Sequence, residues 1–109
     1  MTFSACAPDR WGEGVASASL EVPGTLAPLW GEQRRAVIEF DTGAPLADFL
    51  DQAAQGHPRF ARRIRDETGA VRRYVNVFID GENARALEGL ATVVPDGASV
   101  LIIQSVAGG

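Results

Sequence analysis

One strongly amphipathic helix stands between two sets of strand-like runs, and this limits the fold more than any other feature of the chain. Behind Pro45, the residues Leu46, Phe49, Leu50 and Ala53 fall at i, i+3, i+4 and i+7, while Asp48, Asp51 and Gln52 face the other way and Gly56 marks the end. Pro45 suits the first helical position, because the N–H that it lacks would go unpaired there anyway. A second helical turn or two over Arg59 to Asp66 puts Phe60 and Ile64 on one face, four residues apart.

The flanking segments read as strands. Ala18-Ser19-Leu20-Glu21-Val22 alternates, Pro23-Gly24 and the region Trp30-Gly31-Glu32 turn the chain, and Ala36-Val37-Ile38-Glu39-Phe40 returns, which predicts a hairpin. Beyond the helix, Arg73-Tyr74-Val75-Asn76-Val77-Phe78-Ile79 is dense in β-branched and aromatic residues and stops at Asp80-Gly81, which predicts a central strand. Leu87 to Val94 reads as a short helical turn and a short strand, Pro95-Asp96-Gly97 as a tight turn, and Ser99 to Ile103 as the last strand. A lone helix covers one face of a sheet, so the expected class is α+β, a mixed sheet of about four to five strands with one main helix packed across it.

Composition narrows the functional classes. With 109 residues, 46% hydrophobic and 22% charged, the chain is expected to hold one core. No run approaches the ~20 apolar residues of a membrane span, and Met1 to Arg10 lacks the basic start and apolar run of an export signal, so the expected location is cytoplasmic. Cys6 is the single cysteine, which excludes an internal disulfide and a cysteine-based zinc site. A net charge of −4 argues against nucleic acid as a partner. All ten basic residues are arginine, so no lysine amine is available to attack an activated carboxyl end on a sister molecule.

Residues 1–16, with Pro8, Trp11, Gly12 and Gly14 and no periodicity, are expected to be a flexible extension, residues 17–104 the domain, and 105–109 a flexible tail. That tail, Ser105-Val106-Ala107-Gly108-Gly109, follows the apolar run Val100-Leu101-Ile102-Ile103 directly. Two glycines at an end add little to a fold, and five extended residues reach roughly 17 Å, enough to carry a terminal carboxylate into another protein's active site.

The rest of the chain offers little chemistry of its own. It has no Gly-x-x-x-x-Gly-Lys-Ser/Thr phosphate loop, no Cys/His pair set for nucleophilic catalysis and no clustered metal ligands. His57, beside Pro58, reads as a surface or packing residue. Asp48 and Asp51 lie on the polar helix face, which suits solvation, and the six arginines from Arg59 to Arg73 read first as a solvated face and second as a docking patch for an acidic partner. Tyr74 and Phe78 read as core or half-buried strand residues, or as part of an apolar patch with Val106 and Leu90 around the tail.

Several separated motifs occur in order: Arg72-Arg73-Tyr74-Val75-Asn76-Val77-Phe78-Ile79-Asp80-Gly81-Glu82, Glu88-Gly89-Leu90-Ala91-Thr92, Pro95-Asp96-Gly97-Ala98-Ser99-Val100 and Val106-Ala107-Gly108-Gly109. Together with the order ββαββ they resemble the prokaryotic β-grasp (ubiquitin-like) sulfur carriers of the MoaD/ThiS family, nearest to CysO-like members. The resemblance runs from about Ser17 to Gly109. Gln104-Ser105 departs from the Pro-Ala that often precedes the family's ending, and 1–16 lies outside its pattern.

The resemblance implies a carrier and not an enzyme. The Gly109 carboxylate would be adenylated by an E1-like adenylyltransferase/sulfurtransferase using ATP, converted to a thiocarboxylate, and used as a sulfide donor for a cysteine-synthase-like or metabolite-thiolation enzyme. Gly108, Ala107, Val106, Phe78 and Leu90 would meet the partner. The carrier itself would bind no cofactor or metal, touch neither nucleic acid nor membrane, and be a monomer when free. Two other roles accompany the same resemblance: the small subunit of molybdopterin synthase, and a ubiquitin-like protein modifier.

Overall fold

The computed structural model describes residues 14–104, and the expectations for Cys6, Trp11 and the tail 105–109 fall outside the described residues. Strand β1 (Val15–Glu21) pairs antiparallel with β2 (Arg35–Asp41), from Val15 opposite Asp41 to Glu21 opposite Arg35. This is the predicted hairpin. Its first strand begins at Val15, ahead of the alternation read from Ala18, because Ala16 already packs into the core.

The helix α1 (Leu46–Ala53) buries the four residues its spacing selected, Leu46, Phe49, Leu50 and Ala53. Pro45 sits one position earlier than expected, as the extended residue that caps the helix (φ −75°, ψ 166°). The freed Leu46 N–H donates to the Thr92 carbonyl at 2.7 Å and so ties the helix start to the far end of the chain. A second helix, α2 (Pro58–Ile64), starts on its own proline and buries Phe60 and Ile64.

Strand β3 (Val75–Ile79), the two-residue β4 (Glu82–Asn83) and β5 (Ser99–Gln104) complete a five-stranded sheet in the order β2-β1-β5-β3-β4. The Arg73–Ile79 run is an interior strand, as expected, flanked by β5 and β4; its regular part begins at Val75, and the middle position of the five belongs to β5. That last strand runs parallel to β1 and antiparallel to β3, so the sheet is mixed. Of its apolar run only Val100 and Ile102 are buried, while Leu101 is half-buried and Ile103 exposed.

Asp80 and Gly81 form the two-residue turn between β3 and β4, and both take left-handed backbone angles (φ 50° and 89°), as a tight hairpin of this twist requires. Asp80 also holds the start of β5: its N–H donates to the Ser99 carbonyl at 2.8 Å, and its carboxylate accepts from the Ser99 N–H at 2.9 Å. Between Asn83 and Pro95 the chain makes two 3₁₀ turns, Ala84–Ala86 and Gly89–Ala91, and a single bridge from Val93 to Pro45 stands where a short strand was expected.

The core lies between the helices and one face of the sheet. Leu20, Val75, Val77, Val100 and Ile102 meet Leu46, Phe49, Leu50, Phe60 and Ile64 there. Phe40 and Phe49 pack edge to face at 5.2 Å, and Trp30 stacks on Phe60 at 5.4 Å. Trp30, read from the sequence as part of a turn, is 1% exposed.

Candidate functional site: the open sheet face and the exit of the last strand

In an extended strand successive side chains point to opposite faces. Since Val100 and Ile102 of β5 are buried under the helices, Leu101 and Ile103 must emerge on the other face, where no helix lies over them. Phe78 of β3 stands directly across the ladder from Leu101, and Asn76 from Ile103. Phe78, Leu101 and Ile103, with Ser19, Glu21 and Arg35 from the β1–β2 hairpin, line a groove of about 400 Å³. Ile103 is 42% exposed and Val37, farther out on β2, 69%.

Strand β5 leaves the sheet at Gln104, which pairs with Val75 and whose side-chain carbonyl accepts from the Thr25 hydroxyl at 3.4 Å. The end of β5 therefore lies beside the Thr25 loop and one residue from Tyr74 along β3. Strand β3 holds β5 from Val100 to Gln104, and β1 holds it on the other side from Ser99 to Leu101. Val106, Ala107, Gly108 and Gly109 lie outside the described residues.

Phe78 and Leu90 are not brought together. Val77, one residue before Phe78, faces the helices and lines a separate apolar cavity of about 220 Å³ with Leu90, Leu46, Val71, Val75 and Ala84. Leu90 packs against the core there, on the covered side of the sheet, whereas Phe78 is half-buried in the open groove. The residues that join Phe78 are Leu101 and Ile103, which sequence reasoning passed over. The unbroken apolar run Val100-Leu101-Ile102-Ile103 carried that signal, because a strand with only one buried face alternates.

Beside Tyr74 the backbone is fixed by a polar network. Asn76 accepts through its side-chain oxygen from Arg85 Nη1 at 2.7 Å and from Asn83 Nδ2 at 3.2 Å, while Arg85 Nη2 donates to the Arg72 carbonyl at 3.0 Å. Arg72 Nε donates in turn to the Arg62 carbonyl at 2.7 Å, joining α2 to the start of β3. Asp51, expected to be solvated only, pairs with Arg65 at 2.6 Å; Asp48 is exposed.

Among the described residues no group of His, Cys, Asp and Glu is arranged to hold a metal, and no helix is long and apolar enough to cross a membrane. The groove holds one carboxylate, Glu21, and one guanidinium, Arg35, among apolar and hydroxyl groups. Such a lining supports apolar contact with another surface, and it lacks the paired acid and base that proton transfer needs.

The sequence pattern of the ThiS family matches residues 20–109. Sulfur carrier protein CysO of Mycobacterium tuberculosis is 34% identical over 96 residues, covering 85% of this chain and 99% of that protein. Among solved structures, SAMP1 from Haloferax volcanii superposes with a TM-score of 0.73 at 26% identity, covering 85% of this chain and 99% of the other. The Amycolatopsis orientalis BexX/CysO complex contains a chain that superposes with a TM-score of 0.69 at 27% identity, covering 84% and 99%. The mixed sheet with helices across one face is thus the β-grasp, ubiquitin-like fold.

Proposed function

The chain belongs to the ThiS family, and from that premise we propose that it is a sulfur carrier whose working group is the Gly109 carboxylate. The observation that carries this reading is the extent of the match, which runs through Gly109 and takes in 99% of the CysO relative. A β-grasp domain with an apolar open face and a last strand anchored up to Gln104 suits a protein that presents a tail to others.

In this reading a partner enzyme of E1-like type supplies ATP. A Gly109 oxygen attacks the α-phosphorus, pyrophosphate leaves, and the resulting acyl adenylate has the good leaving group that a carboxylate lacks. A sulfide equivalent then displaces AMP and leaves a thiocarboxylate. The carrier is a cosubstrate: its residues dock and orient the tail, and the partners hold the nucleotide, the sulfur donor and the acceptor. The likeness to a chain of the BexX/CysO complex supports delivery to a separate biosynthetic enzyme, whether cysteine-forming or metabolite-thiolating.

Intact-mass spectrometry of the carrier, incubated with its activating enzyme, ATP and a sulfur source, tests the reading. The expected result is the mass gain of one oxygen-for-sulfur exchange, abolished by deletion of Gly109. Retention of that gain in the deletion variant overturns it. A second reading, attachment to other proteins, rests on the likeness to SAMP1. It predicts covalent adducts in cells that disappear on the same deletion.

A further inference from the structure

The arginines of α2 and the segment before β3 are gathered at the end of the sheet where Gln104 closes β5. Arg59, Arg62 and Arg63 of α2 and Arg72 surround a pocket of about 330 Å³ whose remaining walls are Tyr74 and Leu29. Tyr74 immediately precedes Val75, the partner of Gln104, and Leu29 follows the loop whose Thr25 hydroxyl reaches Gln104. Resting on the carrier reading, we propose that this pocket is a second docking surface, which receives carboxylates of an acidic polypeptide segment at the mouth of the enzyme channel that takes the tail.

Charge is the first argument. The whole chain carries −4, yet six of its ten arginines lie between Arg59 and Arg73, so this region is a cationic patch on an anionic protein. Arg59, Arg62 and Arg63 share a helix face at i, i+3 and i+4, where like charges oppose one another. Arg62 and Arg63 gain something from the carbonyl end of the helix, but Arg59, in its first turn, does not. The ion pair recorded for this segment among the described residues joins Arg65 to Asp51, on another side of α2.

Shape is the second argument. Arg59, Arg62 and Arg63 are exposed and spread over an open surface. A row of guanidinium forks over the apolar rings and side chains of Tyr74 and Leu29 matches a peptide bearing several carboxylates. Position is the third: Tyr74 adjoins Val75, the partner of Gln104, so the pocket lies beside the end of β5. Attraction there raises the encounter rate and sets the direction of approach.

The test has two arms. In the first, full-length chain with ¹⁵N-labelled arginine is titrated at low salt with an acetylated hexaglutamate amide and, separately, with pyrophosphate. Saturable shifts of the Arg59, Arg62, Arg63 and Arg72 Nε–H signals by the peptide are expected, and those of the remaining Arg63 and Arg72 should persist in the charge-keeping Arg59→Lys/Arg62→Lys variant and vanish in Arg59→Glu/Arg62→Glu. Absence of saturable shifts, or tighter binding of pyrophosphate than of the peptide at these arginines, overturns the proposal.

In the second arm, thiocarboxylation by the activating enzyme is followed for the same variants. The glutamate pair should lower kcat/KM about tenfold at low salt, with the deficit shrinking as salt rises, while Thr42→Glu at the opposite end of the sheet changes it by less than about twofold. An unchanged kcat/KM in the glutamate pair overturns the docking role. Sulfur transfer that survives deletion of Gly109 instead defeats the carrier reading and leaves the peptide titration to decide this one.

Discussion

The indole N–H of Trp30 donates to the carbonyl oxygen of Ala53 at 2.9 Å, so a residue from the hairpin connection closes the last turn of α1. The ring is fully buried and stacks on Phe60 of α2, which makes Trp30 the point where the hairpin connection and both helices meet. Trp30→Ala is expected to cost about 3–5 kcal/mol, the range for deleting a large buried aromatic. Trp30→Phe keeps most of the packing and leaves the Ala53 carbonyl without its donor, at about 1–3 kcal/mol. Urea unfolding of the two variants separates the contributions, and a Trp30→Phe protein as unstable as Trp30→Ala would show that the hydrogen bond, not the ring, dominates.

Arg65 fastens the end of α2 to α1 and to the turn that follows. It donates to the Gly69 carbonyl at 2.8 Å and the Ala47 carbonyl at 3.4 Å while pairing with Asp51 at 2.6 Å. The side chain of Asp51 is 69% exposed, so the ion pair itself is screened. Asp51→Asn should therefore cost no more than about 1 kcal/mol, whereas Arg65→Ala, which also removes the donor to the Gly69 carbonyl, should cost about 1–3 kcal/mol. Equal losses in thermal or urea unfolding would contradict this division.

Asp66 organises the turn between α2 and β3 and gives it a pH dependence. Its carboxylate accepts from the Thr68 hydroxyl at 2.6 Å and from the Thr68 and Ala70 N–H groups at 2.8 and 3.2 Å. The Thr68 hydroxyl foremost, then the two N–H groups and the charge of Arg72, outweigh desolvation and hold the carboxyl below the ordinary aspartate value of 3.8. A carboxyl lowered on folding adds stability that is fully present above the unfolded value and is lost as pH falls through the folded one. In NMR titration Asp66 should protonate below pH 3.8. Thr68→Val should move it upward and reduce the loss of stability on acidification.

The sequence disclosed the elements whose periodicity was clean. Leu46, Phe49, Leu50 and Ala53 face the core as their spacing predicted, and Asp80-Gly81 forms the turn that its residues require. Trp30 was misplaced because it stands among turn residues, and only the arrival of Ala53 and Phe60, distant in sequence, gives its ring and N–H partners. The grouping of Phe78 with Leu90 failed for a related reason. Which face of a strand is covered depends on where the helices land, and nothing local to Arg73–Ile79 says that Val77 points toward Leu90 and Phe78 away.

Ile103 tests whether the open face takes part in docking, because it combines exposure with nearness to the tail. Its side chain leaves the core face to Ile102, and its backbone pairs opposite Asn76, so a substitution can alter the groove without emptying the interior. Ile103→Asp should change unfolding stability by about 1 kcal/mol or less, given the modest scale of strand preferences at exposed sites. Ile102→Ala, one residue earlier in sequence and 1% exposed, should cost about 2–5 kcal/mol. If Phe78, Leu101 and Ile103 form the apolar centre of a partner interface, Ile103→Asp should lower kcat/KM for activation by about tenfold or more despite that stability, as loss of a central apolar contact does. Ile102→Ala assayed well below its unfolding temperature should retain activity within a few-fold. Native kinetics in Ile103→Asp would remove the open face from the docking surface and leave the tail and the arginine pocket to account for recognition.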